Sequence, residues 1–466
     1  LAYELARKGH AVAIVEEGHY FKRPDFTGDR FEMMHNLYRN QGINFALSSS
    51  SVWLPTGRCV GGTTTINSGT CFRTPDHIME RWGKELGLTN LGLEKYFPQV
   101  EEMLNTKTVP EDIRGGISNI LNTSLKNKNY HSYPLQRAEK GCDGQSYCIL
   151  GCPTSAKRST DTSYVKEALR NNAYLFSRYK VEEILRDGDK ATGVRARLEG
   201  YGEEFSLTIK AKKVVLAAGS LQTPRLLSNL GLKKTLPQLG KNLTIHPALT
   251  LGALFPTTVR EKLFVPQSMG VSSKYHSDFI LEGYTLPSDT IPLVFSNYGK
   301  ELQRVLDDIN NFTNFSAMIK DPVKGKLILF KNAVIPQYFI NKRLRRVLRD
   351  ASVLLGEIFF DAGANTVYAP IIGHSKINSK EELYNLNKKL PSSFRYNLSA
   401  YHPLGTCQMG DGPNNSVVNF RGEVWGMKNL IVADGSSIPG PLGVNPQVTI
   451  MANALRIANL LEDKLI

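Results

Sequence analysis

Cysteine, long apolar runs and several familiar spacings are scarce in this chain, and each shortage removes a class of protein. Six cysteines in 466 residues cannot build a disulfide scaffold. No stretch of eighteen apolar residues occurs, so no transmembrane helix is expected. Basic residues are scattered apart from short clusters such as Lys342-Arg343 and Arg345-Arg346. No zinc-finger, RNP or helix-turn-helix spacing accompanies them, and nucleic-acid binding is not expected. Internal repeats and low-complexity tracts are absent, and no signal peptide is visible.

What is present describes a globular chain with room for two domains. Hydrophobic residues make up 41% and charged residues 21%, a balance that argues against disorder. Fifty-seven Lys plus Arg against 43 Asp plus Glu leave a net charge of +14, which favours an anionic partner such as a cofactor phosphate or a membrane surface. The expected location is the cytoplasm or the periphery of a membrane.

Leu1, Ala2, Leu5 and Ala6 recur at helical spacing, and Gly9 follows as a C-cap. Ala11 to Val15 is a continuous apolar run, expected as a strand buried on both faces, with Glu16 at its carboxyl end. Helix, glycine, buried strand and terminal acid form the last three-quarters of a dinucleotide-binding βαβ unit, in which the acid accepts from ribose hydroxyls. The preceding strand and glycine turn are expected upstream of Leu1. A plain helix-to-strand connection reads the same way.

Three further blocks add to this. In Gly57-Arg58-Cys59-Val60-Gly61-Gly62-Thr63-Thr64-Thr65-Ile66-Asn67, a double glycine before three hydroxyl residues lets backbone approach a flat ligand with N–H groups free. Val214 to Ala217 reads as a buried strand, Ala218-Gly219-Ser220 as a tight turn, and Thr223-Pro224 as the opening of a helix through Leu226 and Leu227. Near the carboxyl end, His402-Pro403-Leu404-Gly405-Thr406 precedes a strand at Ile431 to Asp434 and a Pro- and Gly-rich loop from Pro439 to Gly443. Asn445-Pro446 then starts the last helix, Asn as N-cap and Pro in the first turn.

Taken in order and at this spacing, the blocks resemble the glucose–methanol–choline oxidoreductases over essentially the whole chain. GGTTTIN is similar to that family's first signature, with one residue inserted before Phe72 and Pro75. AAGSLQTPRLL is similar to the second, with Leu230 in place of a serine. GCDGQSYCILGCPTSAKRST, HPLGTCQMG and AMIKDPVKGKL resemble the long-chain alcohol oxidases and related bacterial alcohol dehydrogenases more closely. The resemblance implies an α/β fold, with a discontinuous Rossmann-like FAD-binding domain at 1–75, 155–245 and 396–466. It also implies a cap region at 76–154 and an inserted α+β substrate domain at 246–395, built on an antiparallel sheet.

The implied chemistry is FAD-dependent oxidation of an alcohol. His402 matches the catalytic base of the family, since a neutral imidazole suits removal of a hydroxyl proton near neutral pH. Asn445 matches the second member of the pair and is expected both to donate to the developing alkoxide and to cap the helix. The resemblance places Gly61, Gly62, Thr63, Asn67, Pro446 and Gln447 around the flavin, with the amino end of the last helix toward the reduced ring, and counts Arg58 among the FAD contacts. Glu16 and Val181 are expected at the adenosine, and Ala218, Gly219, Asp434 and Gly435 along the ribityl-phosphate portion. An apolar, long-chain alcohol leads as substrate, and oxygen, a quinone or a cytochrome as electron acceptor. A sterol oxidase, a non-redox lyase on the same fold and an inactive flavin-binding relative remain as alternatives.

Two features stand outside this frame. Cys142, Cys148 and Cys152 read first as a structural loop, then as a disulfide, then as a metal site, because three thiols without a nearby histidine leave structural zinc one ligand short. Leu344 to Phe360 carries an apolar stripe of Val347, Leu348, Ala351, Leu355 and Ile358, which reads as core and alternatively as a peripheral membrane contact.

Overall fold

The computed structural model describes all residues except 90, 127–129, 202, 274–276, 284–287, 289–290, 292–296 and 463–466. Its first helix, Ala2–Arg7, closes as expected: Gly9 adopts φ +87° and its N–H bonds to the Ala6 carbonyl at 2.9 Å. The strand Ala13–Glu16 then runs parallel to Tyr174–Ser177, with Glu16 opposite Ser177. Burial on both faces is not found, for Ala13 is exposed and Ile14 to Glu16 are half-buried. Among the described residues this strand pairs on one side alone, which leaves its other edge and part of its faces open.

A second parallel pair joins Val214–Leu216 to Leu430–Val432 and brings the chain's middle against its carboxyl end. Beside it lies an antiparallel triplet, Tyr179–Asp187, Lys190–Leu198 and Ser206–Lys210, whose Val181 packs on the core that contains this second pair.

The helix after Val214–Leu216 begins at Gly219, four residues before the expected start at Thr223-Pro224, and runs to Asn229. Pro224 therefore lies inside the helix, where its missing N–H orphans the Ser220 carbonyl one turn back. The Thr406 hydroxyl supplies the replacement, donating to that carbonyl at 2.6 Å. Proline is tolerated here because a distant loop takes over the lost hydrogen bond.

The remaining large element is a nine-stranded, mainly antiparallel sheet. Its spatial order is Lys376–Ile377, Thr366–Tyr368, Pro247–Leu254, Phe312–Ile319, Phe279–Glu282, Met269–Ser273 and Tyr130–Pro134. Asn397–Ala400 adds antiparallel to Pro247–Leu254 and parallel to Ser51–Trp53, so four separated stretches of chain build one sheet. Every residue of Phe312–Ile319 is buried, as a central strand covered on both faces requires.

The helix Lys342–Asp361 covers this sheet, its Asn341 cap accepting from Leu344 N–H at 2.9 Å. Val347, Leu348, Ala351, Leu355 and Ile358 are all buried in the resulting core. Each large one contributes about 1.5–3 kcal/mol relative to exposure. That stripe is spent on the core and is not free to meet a membrane.

Candidate active site

The end of Asn397–Ala400 leads directly into residues 401–405, and three elements grip that loop. Leu404 exchanges backbone hydrogen bonds with Thr244 at 2.9 and 3.2 Å, the Ser220 hydroxyl donates to the Pro403 carbonyl, and Gly405 N–H reaches the Gly435 carbonyl at 3.2 Å. Gly405 adopts φ +82°, and a Cβ there would lie 2.5 Å from the Asn242 carbonyl oxygen, so the turn needs glycine. The loop presents His402 with Nδ1 buried and without a hydrogen-bond partner among the described residues. Burial disfavours the charged ring and lowers its pKa to about 4, so the imidazole is neutral at physiological pH.

A second histidine faces the first. His246 immediately precedes Pro247–Leu254, is fully buried, and holds φ +48°, a strained value for a side chain of this size. Its ring lies 5.5 Å from that of His402 at 68°. Nε2 accepts from Leu442 N–H at 3.1 Å and Gly443 N–H at 3.0 Å, which puts the neutral ring's proton on Nδ1. Desolvation and the neighbouring His402 hold its pKa well down. One imidazole thus braces another and pins the Pro- and Gly-rich loop that delivers Asn445.

Asn445 does not cap the last helix. That helix spans Gln447–Glu462, and its first turn closes on the Pro446 carbonyl, 2.9 Å from Ile450 N–H. Asn445 is buried instead, with Nδ2 donating to Glu282 Oε1 at 3.4 Å and Oδ1 unpartnered among the described residues. The hydrogen bond from Nδ2 to the buried Glu282 carboxyl fixes the direction of the side chain.

Glu282 ends the strand Phe279–Glu282 and is 4% exposed. Burial raises its pKa to about 7, opposed by hydrogen bonds from Asn445 and Gln267, and Oε2 has no partner among the described residues. Gln267 is fixed in turn by the Thr70 hydroxyl at 2.6 Å. Neither Glu282 nor His246 stands out in sequence. A lone acid at the end of an apolar run and a lone histidine before a strand carry no spacing signal.

The GGTTTIN block forms a shelf beside this group. Gly61 and Gly62 adopt φ +96° and +55° and enter a short 3₁₀ turn, Gly62–Thr65, that includes Thr63. Asn67 Nδ2 donates to Gln447 Oε1 at 3.0 Å, and Gln447 Nε2 donates to the Thr70 carbonyl at 2.6 Å, which clamps shelf to helix. Two buried cations support the shelf, Lys157 from the cysteine-rich loop and Arg137 from the strand Gln136–Ala138 before it, and sequence reading passed over both. Lys157 Nζ donates to Thr65 O at 2.6 Å, to Asn67 O at 2.8 Å and to Cys148 O; Arg137 Nε donates to Ser68 O at 2.8 Å, and Nη2 to Cys148 Sγ at 3.1 Å. Cys142, Cys148 and Cys152 are free thiols, as are buried Cys59, Cys71 and Cys407.

Glu16 and Arg58 meet at the end of Ala13–Glu16. A Cβ on Gly18 would lie 2.3 Å from the Arg58 carbonyl oxygen, so the chain passes there with no room for a side chain. Glu16 Oε1 accepts from Gly18 N–H at 2.8 Å; burial raises its pKa, opposed by that bond and by Arg39 and Arg58. Ala218, Gly219, Asp434 and Gly435 form a third group. Asp434 accepts from Gly219 N–H and Ser436 N–H, each at 2.8 Å, and from the Thr223 and Ser436 hydroxyls. Protein donors fill its carboxylate, so it ties the two strand ends together and acts on a ligand only through the backbone it positions.

Comparison with known proteins gives the same frame. Residues 34–248 and 330–454 match the GMC oxidoreductase family. A GMC-type oxidoreductase of Mycobacterium tuberculosis is 35% identical over 98% of this chain and 73% of its own length. Long-chain-alcohol oxidase FAO1 of Arabidopsis thaliana is 27% identical over 98% of this chain and 64% of its own length. A cholesterol oxidase of Acinetobacter baumannii is 23% identical over 99% and 92%. Pyridoxine 4-oxidase from Mesorbium loti shares the fold at a TM-score of 0.74 and 15% identity, covering 99% of this chain and 96% of that one. With such neighbours, the fold is that of a flavin-dependent oxidoreductase. The chain belongs to the GMC oxidoreductases, which use FAD and act on alcohol-type donors.

The residues present fit that cofactor. Nothing lies within 4 Å of where a Cβ would stand on Gly62 or Gly219, which leaves backbone open to a flat ligand. His402 Nδ1, Asn445 Oδ1 and Glu282 Oε2 are buried polar atoms left for a ligand to satisfy.

Proposed function

We propose that this chain oxidises a primary alcohol with an apolar chain to the aldehyde, His402 taking the hydroxyl proton. Bound FAD supplies the acceptor for the hydride leaving carbon. Gly61, Gly62, Thr63, Asn67, Pro446 and Gln447 would hold its ring system, Glu16, Arg58 and Val181 its adenosine end, and Ala218, Gly219 and Gly435 the middle. The observation that carries this reading is the linkage of His402 to the Asn445 loop through His246. That linkage supports a desolvated neutral base at His402 acting with the Asn445 amide, whose oxygen has no partner among the described residues.

Asn445 acts according to the proton on Glu282. With Glu282 ionised, Nδ2 is held by the carboxylate and Oδ1 accepts from the substrate hydroxyl, which orients the alcohol. With Glu282 neutral, its O–H donates to Oδ1 and frees Nδ2 for the developing alkoxide, the form that lowers the barrier. The apolar chain of the substrate is supported by the relatives named as long-chain-alcohol oxidases.

The test uses the FAD-loaded enzyme under anaerobic conditions. A primary alcohol of ten or more carbons should bleach the flavin absorbance and yield aldehyde, with sterols and short alcohols slower. A lyase or an inactive relative would keep its colour with every alcohol, and preferential bleaching by a sterol would move the substrate to that class. Oxygen, quinone and cytochrome in parallel assays identify the acceptor.

A further inference from the structure

Residues 43–47 run beside Ser51–Trp53, Ala46 N–H bonding to Val52 O at 3.0 Å. Leu47 then pairs in parallel with Gln337, its N–H on Pro336 O at 2.7 Å and its carbonyl accepting from Tyr338 N–H at 3.0 Å. Alternation turns Ala46, Pro336, Tyr338 and Ile340 inward, and all four are buried. The outward positions of a half-buried strand are ordinarily polar. Here they are Ile43, Phe45 and Leu47, exposed by 69%, 51% and 49%, with Ile335 at 39% and Phe339 at 56%. Phe330, at the tip of the hairpin formed by Lys326–Leu329 and Val334–Gln337, is another exposed ring. Scattered apolar residues on a surface are ordinary; a row of five along paired strands marks a contact.

Charge identifies the partner. No Asp or Glu occurs between residues 33 and 75 or between 322 and 349, the two stretches that meet here. The second carries exposed Lys326, Lys331, Lys342 and Arg343 around the apolar row. One carboxylate from elsewhere, Asp278, approaches Arg343 at 4.0 Å. We infer that this face docks on the surface of an anionic phospholipid bilayer, its apolar side chains entering the headgroup boundary and its cationic rim meeting lipid phosphates. No helix among the described residues is long and apolar enough to cross a membrane, and the contact is interfacial.

The face adjoins the strand Ser51–Trp53, which pairs with Asn397–Ala400 just before His402. Phe45 pairs with Trp53, whose ring stands edge-on to Tyr401 at 6.0 Å, and Tyr401 adjoins His402. An alcohol dissolved in the bilayer would therefore reach the protein on the side of its own site. That purpose rests on the apolar-alcohol reading above; the docking does not.

The experiment sediments the FAD-loaded protein with vesicles of phosphatidylcholine alone and of phosphatidylcholine mixed with phosphatidylserine, at low and high salt. Binding is expected to the mixed vesicles and to fall with salt. The double variant Phe45→Ser/Phe339→Ser should weaken it about tenfold or more, and Lys331→Glu/Lys342→Glu should remove its salt dependence. Both variants should keep the wild-type melting temperature and flavin absorbance. Failure of the wild type to bind mixed vesicles, or equal binding by both variants, overturns the proposal. It is equally overturned if the Phe45/Phe339 variant converts a dimer to a monomer, which would make the row a contact between copies. Vesicle binding without turnover of any long-chain alcohol would leave the docking standing and sink the substrate reading.

Discussion

Burial displaces His402 and Glu282 in opposite directions, which gives each a signature in stability against pH. The His402 pKa falls from 6.5 to about 4 on folding, so its contribution is present above 6.5 and is lost as pH falls through 4. The Glu282 pKa rises from 4.5 to about 7, so its contribution is present below 4.5 and is lost as pH rises through 7. Each is about 3 kcal/mol at most, and between pH 5 and 7 the two slopes oppose. Urea titrations should show Glu282→Gln gaining stability as pH rises over this window and His402→Gln losing it. Parallel curves for both variants and the wild type would show that neither group is buried as described. For activity, His402→Ala should lower kcat about 10²–10⁴-fold with flavin absorbance retained. Glu282→Gln should remove a limb near pH 7 from the profile of kcat/KM, read by stopped-flow reduction. His402 was legible in the residues because HPLGT carries a recognisable pattern. Glu282 and His246 were not, because each acquires its role only from neighbours more than 150 positions away in the chain.

Elements show how local preference is overruled. Pro224 reads as a helix start by propensity, and it would be one if Ser220 O lacked another donor. Thr406→Val should therefore cost about 1–3 kcal/mol, the penalty of an unsatisfied buried carbonyl, measured by denaturant unfolding. An unchanged midpoint would mean that water replaces the hydroxyl. Asn445-Pro446 reads as a cap in the same local manner, and the cap is absent because the Nδ2 bond to Glu282 holds the side chain with Oδ1, the capping atom, unpartnered among the described residues. The cysteine-rich loop reads first as structural, and its Lys157 sits beneath the shelf with Arg137 from the preceding strand Gln136–Ala138. Lys157→Met leaves three carbonyls without their donor and should destabilise the protein by at least about 3 kcal/mol. Thermal melts followed by flavin fluorescence should show release of FAD at a lower temperature than in the wild type.

At the scale of the molecule, the apolar runs and helical spacings, the glycine blocks and the order of signatures determined the fold class and the family, and pointed to His402 as the candidate base. These properties are local, or are carried by short stretches whose chemistry does not depend on what packs against them. Tertiary structure alone decided that four separated stretches share one nine-stranded sheet and that a second histidine braces the first. It also decided that a carboxyl turns the Asn445 amide away from its helix and that Ile43, Phe45 and Leu47 line up with Ile335 and Phe339. Those facts depend on strand register and burial between residues far apart in the chain, and such pairings are set by the closing of the whole core, not by the preference of any segment.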